Sequence, residues 1–292
     1  MLRAIAAGAL LFSAAAAPGE TPAAAVTGVQ PAKQGRRLGA PTLTAAQIVE
    51  KNVAARGGLA AWRKVEAMAW AGRAEGGSPV PMPFFVELKR PNLTHFEITA
   101  IDKRFVRIFD GTRGWRVRPG ASGAPEARAF SKEEDAFARE EFVIDGPLMD
   151  HEAKGVKVVV VGLDEIEGRK AHLLEVTVPS GASRRIWIDA ETFLEIRSDR
   201  PSTSPLVPGA PVSVYYRDHR SVEGLMIPFT IETKPEAGGR GSQKLIIEKV
   251  VLNPELPHAA FSKPATASRR KANVHIGGGA SSMPAAPARP GS

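Results

Sequence analysis

Residues 87–119 read ELKRPNLTHFEITAIDKRFVRIFDGTRGWRVRP, and apolar and polar side chains alternate through most of the stretch. Alternation with period 2 belongs to strands that bury one face. Two turn signals cut the run, Arg90-Pro91-Asn92 and Asp110-Gly111-Thr112. A proline withdraws a ladder donor, and an Asp-Gly pair supplies the positive φ of a tight hairpin. At the usual strand length of roughly 5–6 residues, the stretch predicts an antiparallel meander of about four strands. It holds no catalytic constellation, so it offers a surface rather than a reaction.

On the N-terminal side, Thr44-Ala45-Ala46-Gln47 fits a capping box that opens a helix. Ile48, Val53 and Leu59–Trp62 are the apolar marks that follow, and Gly57-Gly58 interrupts them, which predicts two short helices over Thr44–Trp62. Strands follow at Val65–Ala74, with Met68 and Trp70 on one face, and at Val80–Leu88. On the C-terminal side, Ser131-Lys132-Glu133-Glu134 is a second capping box with acids in the first turn, where the helix dipole favours them. That helix runs to about Phe142, Gly146-Pro147 breaks it, and Pro147–Lys154 predicts another short helix. Strand signals resume at Val156–Leu163, Ala171–Val178, Arg184–Asp189, Phe193–Ser198, Val212–His219, Ile227–Lys234 and Lys244–Leu252. The sum is a mainly β fold with helices (α+β), of about 11–12 antiparallel strands and two helix pairs. Open sheets beyond ~10 strands curl, and a curled sheet with helices at its mouth can enclose an apolar cavity.

The ends of the chain differ from its middle. Residues 1–17 carry one positive charge at Arg3, an apolar run through Leu10-Leu11-Phe12 and then small residues, the pattern of a secretory signal peptide. Residues 18–41 are rich in Ala, Pro and Gly and predict an unstructured linker; residues 42–262 hold the fold; residues 263–292 form a basic Ala/Pro/Gly-rich tail. The formal net charge is +8. Four basic residues and one acid precede Ala40 and five basic residues follow Ser262, leaving 30 basic and 30 acidic residues between. The folded part is neutral, which argues against a nucleic-acid groove across it.

The chain has no cysteine, which removes disulfides, thiolate metal sites and Cys nucleophiles together. None of its six histidines falls in a metal-ligand spacing, and no nucleophile elbow, Walker loop or dinucleotide fingerprint occurs. The expectation is therefore a protein that is not an enzyme, with no cofactor and no metal. Aromatics placed on the candidate concave face are Trp70, Phe84, Phe96, Phe109 and Trp115. With Val86, Leu88, Ile98 and Leu148 they make either a closed core or the lining of a cavity for acyl chains.

Leu88-Lys89-Arg90-Pro91-Asn92-Leu93, then Phe96-Glu97-Ile98-Thr99, then Asp110-Gly111 with Trp115, resembles the periplasmic lipoprotein carriers of the LolA family. The later segments Phe142–Leu148, Val161-Gly162 with Glu167-Gly168, Ile188–Ile196 and Gly224–Pro228 are similar to the wider group of outer-membrane lipoprotein-sorting proteins. The resemblance spans about Thr44 to Pro264. It implies an incomplete antiparallel barrel, closed by a helical lid over an apolar cavity. It also implies that the arginine of the KRPN stretch, here Arg90, holds the lid. Where that family has an aromatic Tyr-Asn-Pro turn, this chain has Arg118-Pro119.

The expectation is then a periplasmic, monomeric carrier for a lipid or lipoprotein acyl chain, meeting donor and acceptor proteins at membranes and binding no nucleic acid. Thr44–Trp62 and Ser131–Lys154 would form its lid. The alternative is a non-catalytic envelope module with a packed barrel that binds a protein partner.

Overall fold

The computed structural model describes residues 39–264 other than 41, 77, 121–122, 142, 202–210 and 236–241, so the expected leader, nearly all of the linker and nearly all of the basic tail lie outside the described residues. The chain opens with helices α1 (Ala45–Ala55) and α2 (Leu59–Arg63), then runs through six strands: β1 (Ala67–Glu75), β2 (Met82–Lys89), β3 (Leu93–Ala100), β4 (Lys103–Asp110), β5 (Gly114–Pro119) and β6 (Pro125–Ala129). Helix α3 (Lys132–Arg139) and a run of turns lead to seven more: β7 (Lys157–Ile166), β8 (Arg169–Thr177), β9 (Ser183–Asp189), β10 (Glu195–Pro201), β11 (Pro211–Val222), β12 (Leu225–Pro235) and β13 (Gln243–Leu252).

All thirteen lie in one sheet, in the order β6-β5-β4-β3-β2-β1-β13-β12-β11-β10-β9-β8-β7. The first and last strands pair at its centre, with Met68 opposite Leu252 and Trp70 opposite Val250. The two edges are therefore β6 and β7, neighbours in sequence at opposite ends of the sheet. Seven inter-strand steps separate β4 from β10, about 34 Å if the sheet were flat at ~4.8 Å per step. Instead Arg107 on β4 feels the charge of Arg200 on β10, so the sheet curls until its halves face each other. The chain from 130 to 156 must then cross the open mouth to get from β6 to β7.

Register assigns the faces. Trp70 pairs with Val86, Val86 with Phe96, and Phe84 with Ile98, so these side chains share the concave face. Across the sheet centre they meet Ile247, Ile231, Ile227 and Val214 in one buried cluster. A second cluster on the same side joins Ile48 and Val49 of α1 to Leu174 and Val176 of β8 and Ile186 and Ile188 of β9. Each large apolar side chain so buried contributes roughly 1.5–3 kcal/mol.

The expected N-terminal helix pair is present. Thr44 and Gln47 exchange both capping bonds, Thr44 N to Gln47 Oε1 at 2.9 Å and Gln47 N to Thr44 Oγ1 at 3.2 Å. The break falls at Gly57, with φ 106°, where a Cβ would lie 2.4 Å from the Gly224 carbonyl; only glycine fits so close an approach.

Three details depart from the sequence reading. Strand β6, PEARA, was not anticipated: it has no apolar alternation and is mostly exposed, as suits a charged edge strand opened by proline. The segment expected as a helix over Pro147–Lys154 is a series of turns, because Gly146 and Asp150 both take positive φ, 72° and 54°, which ends right-handed helix propagation. Trp115 pairs with Ile108, which pairs with His95, and this places the indole on the convex face rather than with Phe96.

Candidate functional site

The segment 141–155 closes the mouth, and two kinds of contact hold it there. One is apolar. Val143, Ile144 and Met149 join Trp62 of α2 and the concave residues Trp70, Phe84, Val86, Leu88, Phe96 and Ile98 in a single cluster. Leu148 joins the second cluster, between α1 and strands β8 and β9. Phe109, whose register puts it on the concave face with Leu88, is also buried. Of the residues singled out from the sequence, every apolar one except Trp115 lies on the concave side or against it, each no more than 4% exposed.

The other contact is ionic and centres on Asp145, a residue that is 5% exposed. Arg90 Nη2 lies 2.8 Å from Asp145 Oδ2, and Lys154 Nζ lies 2.5 Å from Oδ1. Lys154 also donates to the Gly146 carbonyl at 2.8 Å. From beneath, the fully buried Arg56 donates Nη1 to the Asp145 carbonyl at 3.1 Å and stacks 4.5 Å from the Trp62 ring centroid. Burial pulls Arg56 down to about 10, opposed by Glu195 and then Asp145, so its guanidinium remains charged at neutral pH. Burial likewise lowers Lys154, against the attraction of Asp145.

Arg90 owes its position to the turn after β2. Its Nε donates to the Val65 carbonyl at 2.7 Å and its Nη2 to the Trp62 carbonyl at 3.1 Å, the carbonyls that end α2 and lead into β1. One side chain thus ties α2, the β2–β3 turn and the crossing segment together. Next to it, Asn92 Nδ2 donates to the carbonyls of Ala138 and Arg139 at 2.5 and 2.8 Å, capping the end of α3. At the far side, Arg184 on β9 reaches Glu141 at 3.4 Å, a pair that is almost fully buried. Arg63 of α2 meets Asp150 at 2.6 Å near the surface.

Sequence reasoning singled out Arg90 but not Asp145, Arg56, Lys154, Glu141 or Arg184. One signal was available for Asp145: an acid following Val143-Ile144 and preceding Gly146-Pro147 interrupts an apolar run, and buried acids need partners. Nothing local marks the three cations, whose roles depend on chain segments 9 to 89 residues away.

No group of three or more His, Asp or Glu residues able to hold a metal occurs among the described residues. His172 stacks on Phe193 at 5.8 Å, and burial lowers its pKa. His95 is 3.0 Å from Glu87 on the convex face. What the arrangement provides is an apolar interior under a segment held by charges.

No protein-family model and no curated protein matches the sequence. Solved structures do match. A LolA superfamily protein from Nitrosomonas europaea aligns over 76% of this chain and 99% of its own, with TM-score 0.52 and 16% identity. A DUF1329 family protein from Desulfovibrio piger aligns over 75% and 97%, with TM-score 0.49 and 12% identity. A candidate outer membrane lipoprotein-sorting protein domain from Vibrio parahaemolyticus aligns over 74% and 95%, with TM-score 0.49 and 11% identity. The unclosed antiparallel sheet, its pairing of first and last strands and the helical segments at its mouth make this a LolA-like fold.

Proposed function

We propose that this protein is a periplasmic carrier that takes an acyl chain of a lipid or lipoprotein anchor between the concave sheet face and segment 141–155. The observation that carries the reading is the ionic clasp on Asp145 beside the large apolar cluster of the concave face. A buried ion pair roughly breaks even against the hydration its charges lose. Opening the segment returns those charges to water, so the clasp fixes where the lid closes while opposing its opening only weakly. The apolar surface uncovered at the same time is costly in water, at ~25 cal/mol per Å², and an acyl chain can replace the lid's side chains on it. A cargo of that kind cannot cross an aqueous compartment unaccompanied. No step of this function needs a catalytic group.

One observation favours a second reading, a packed module that binds a protein partner: Trp70, Phe84, Leu88 and Ile98 are already covered by the chain's own side chains. Native mass spectrometry of the protein purified without detergent from its own host decides between them. The carrier reading expects an added mass that organic extraction identifies as a lipid. Repeated recovery of the bare chain, together with failure of a pyrene-labelled acyl chain to bind, would sink it.

A further inference from the structure

The strands β4 to β6 carry a second charged region, and it is not built like the clasp. Arg107 on β4 pairs with Phe96 on one side and with Arg116 of β5 on the other, so both guanidinium groups stand on the concave face. Arg118 lies two residues beyond Arg116, on the same face. Arg200, on the concave face of β10, adds a weaker repulsion on Arg107. Glu134 of α3 is the acid these groups share: it pairs with Arg116, lies 3.9 Å from Arg107 and accepts the Ser131 amide at 2.9 Å.

Both Arg107 and Arg116 are mostly buried, with side chains 19% and 18% exposed. The Nε–H of Arg116 is buried without an acceptor. Phe130 backs the pair, its ring 4.5 Å from the Arg107 guanidinium and 5.9 Å from that of Arg116. Gly114, opposite Phe109, makes room for that ring: a Cβ there would lie 2.0 Å from it. Asp135 turns its carboxylate to the backbone instead, its Oδ1 accepting the Gly114 amide at 2.8 Å.

Like charges gathered away from water repel, and a fold gains nothing from holding them so unless something of opposite charge joins them. We infer that the Arg107–Arg116–Arg118 face of β4 and β5 binds a phosphate-class oxyanion, which the carrier presents as the headgroup of its lipid. A carboxylate has two coplanar oxygens, and one guanidinium fork can engage both. Three forks converging from two strands fit a tetrahedral anion with several equivalent oxygens. Burial lowers Arg107 to about 10, and it keeps its charge at neutral pH. The face adjoins the apolar floor through Phe96 and Phe105, so chains lying on the floor would bring a headgroup to these arginines. The lipid source rests on the carrier reading; the oxyanion site does not.

The full mature chain is titrated with three probes: pyrene-labelled phosphatidic acid, a pyrene-labelled diacylglycerol with the same chains, and inorganic phosphate followed by calorimetry. The expected result is about tenfold tighter binding of phosphatidic acid than of diacylglycerol. The double substitution Arg116→Gln with Arg118→Gln should erase that preference and leave diacylglycerol binding unchanged. Equal binding of the two lipids by the unaltered chain, or a preference that survives the double substitution, overturns the inference. Binding of neither lipid removes the carrier reading alone; arginine-dependent phosphate heat then identifies the free anion as ligand, and its absence overturns the site too. Should the double variant fail to fold, Arg118→Gln alone, at an exposed position, carries the comparison with a loss of about threefold expected.

Discussion

Asp145 and Glu134 both sit where the crossing segment meets the concave face, and both are ringed by cations, yet the two rings differ. At Asp145 the cations are Arg56, Arg90 and Lys154, and each is spent on protein oxygens. Their charges are met by Asp145 and, for Arg56, by Glu195 as well. At Glu134 the guanidinium groups of Arg107 and Arg116 share one carboxylate, Arg118 stands opposite Glu126, and the Arg116 Nε–H stays without an acceptor. The first arrangement ties α1, α2 and the crossing segment together through backbone carbonyls, although Arg56 also keeps a buried Nη2 without an acceptor. The second is incomplete in a way that a ligand could finish. Charge near a mouth has two uses, and the backbone carbonyls that the cations engage at Asp145, and not at Glu134, tell them apart.

If that distinction is right, substitutions in the two regions should separate stability from binding. The largest effect is expected from Asp145→Ala, which takes the carboxylate from Arg90 and Lys154 and leaves Arg56 with Glu195 alone. Removing one partner of a buried ionic group costs about 3–5 kcal/mol, measurable by urea denaturation; a loss below about 1 kcal/mol would mean that the clasp is not structural. Gly114→Ala comes next. The added methyl must displace the Phe130 ring, for about 1–3 kcal/mol, and should weaken phosphate binding with it.

Acid should act through His219, whose pKa burial lowers from 6.5 to about 4, with Arg56 and Arg169 acting in the same direction. The unfolded imidazole takes up a proton near pH 6.5 and the folded one resists until near pH 4. Stability is therefore whole above pH 6.5 and falls as pH drops toward 4, by roughly 3 kcal/mol. Carboxylates titrate in the lower part of that window, so the measurement is the difference between the unaltered chain and His219→Gln; parallel pH profiles would refute it.

Arg90→Leu should act locally, at about 1–2 kcal/mol, because it unties two carbonyls and half of the clasp. Amide exchange at Gly155 and Val156, which donate to Glu152 and His151 inside the crossing segment, should accelerate while the centre of the sheet stays protected. Uniform protection in both would argue against a separable lid. The smallest change in stability is expected at Arg118→Gln, within about 0.5 kcal/mol, since this exposed side chain supports nothing else. A large loss there would make the basic face structural and erase the contrast with Asp145.

Much of the fold was legible because strand alternation is a local property. The Glu87–Pro119 run, read as about four strands, holds the end of β2 and then β3 to β5, and both capping boxes predicted helices that start where Thr44 and Ser131 stand. β6 was not legible, as an exposed edge strand needs no apolar alternation. Trp115 was assigned to the concave side because aromatic residues suggest cores, but its face depends on register across the Asp110–Arg113 turn. Of the site, Arg90 could be singled out by resemblance. Its partner could not, because Asp145 reaches it only through the crossing of the mouth. The basic face was harder still: Arg107, Arg116 and Arg118 are spread through one alternating stretch, and in sequence they read as its solvated side.

By itself, the sequence determined which residues extend and which coil, since side-chain alternation, proline, glycine and capping groups act within a few residues of themselves. It also determined that the folded part carries no net charge. Only the tertiary structure decided which alternating set faces inward, by pairing β1 with β13 and placing both edges at the mouth. That closure buries Phe96 and, on the same face, Arg107. It brings Arg200 across from β10 and hangs the crossing segment on Arg90. Charges are paired or left wanting by distances in space, which contacts between residues far apart in the chain create.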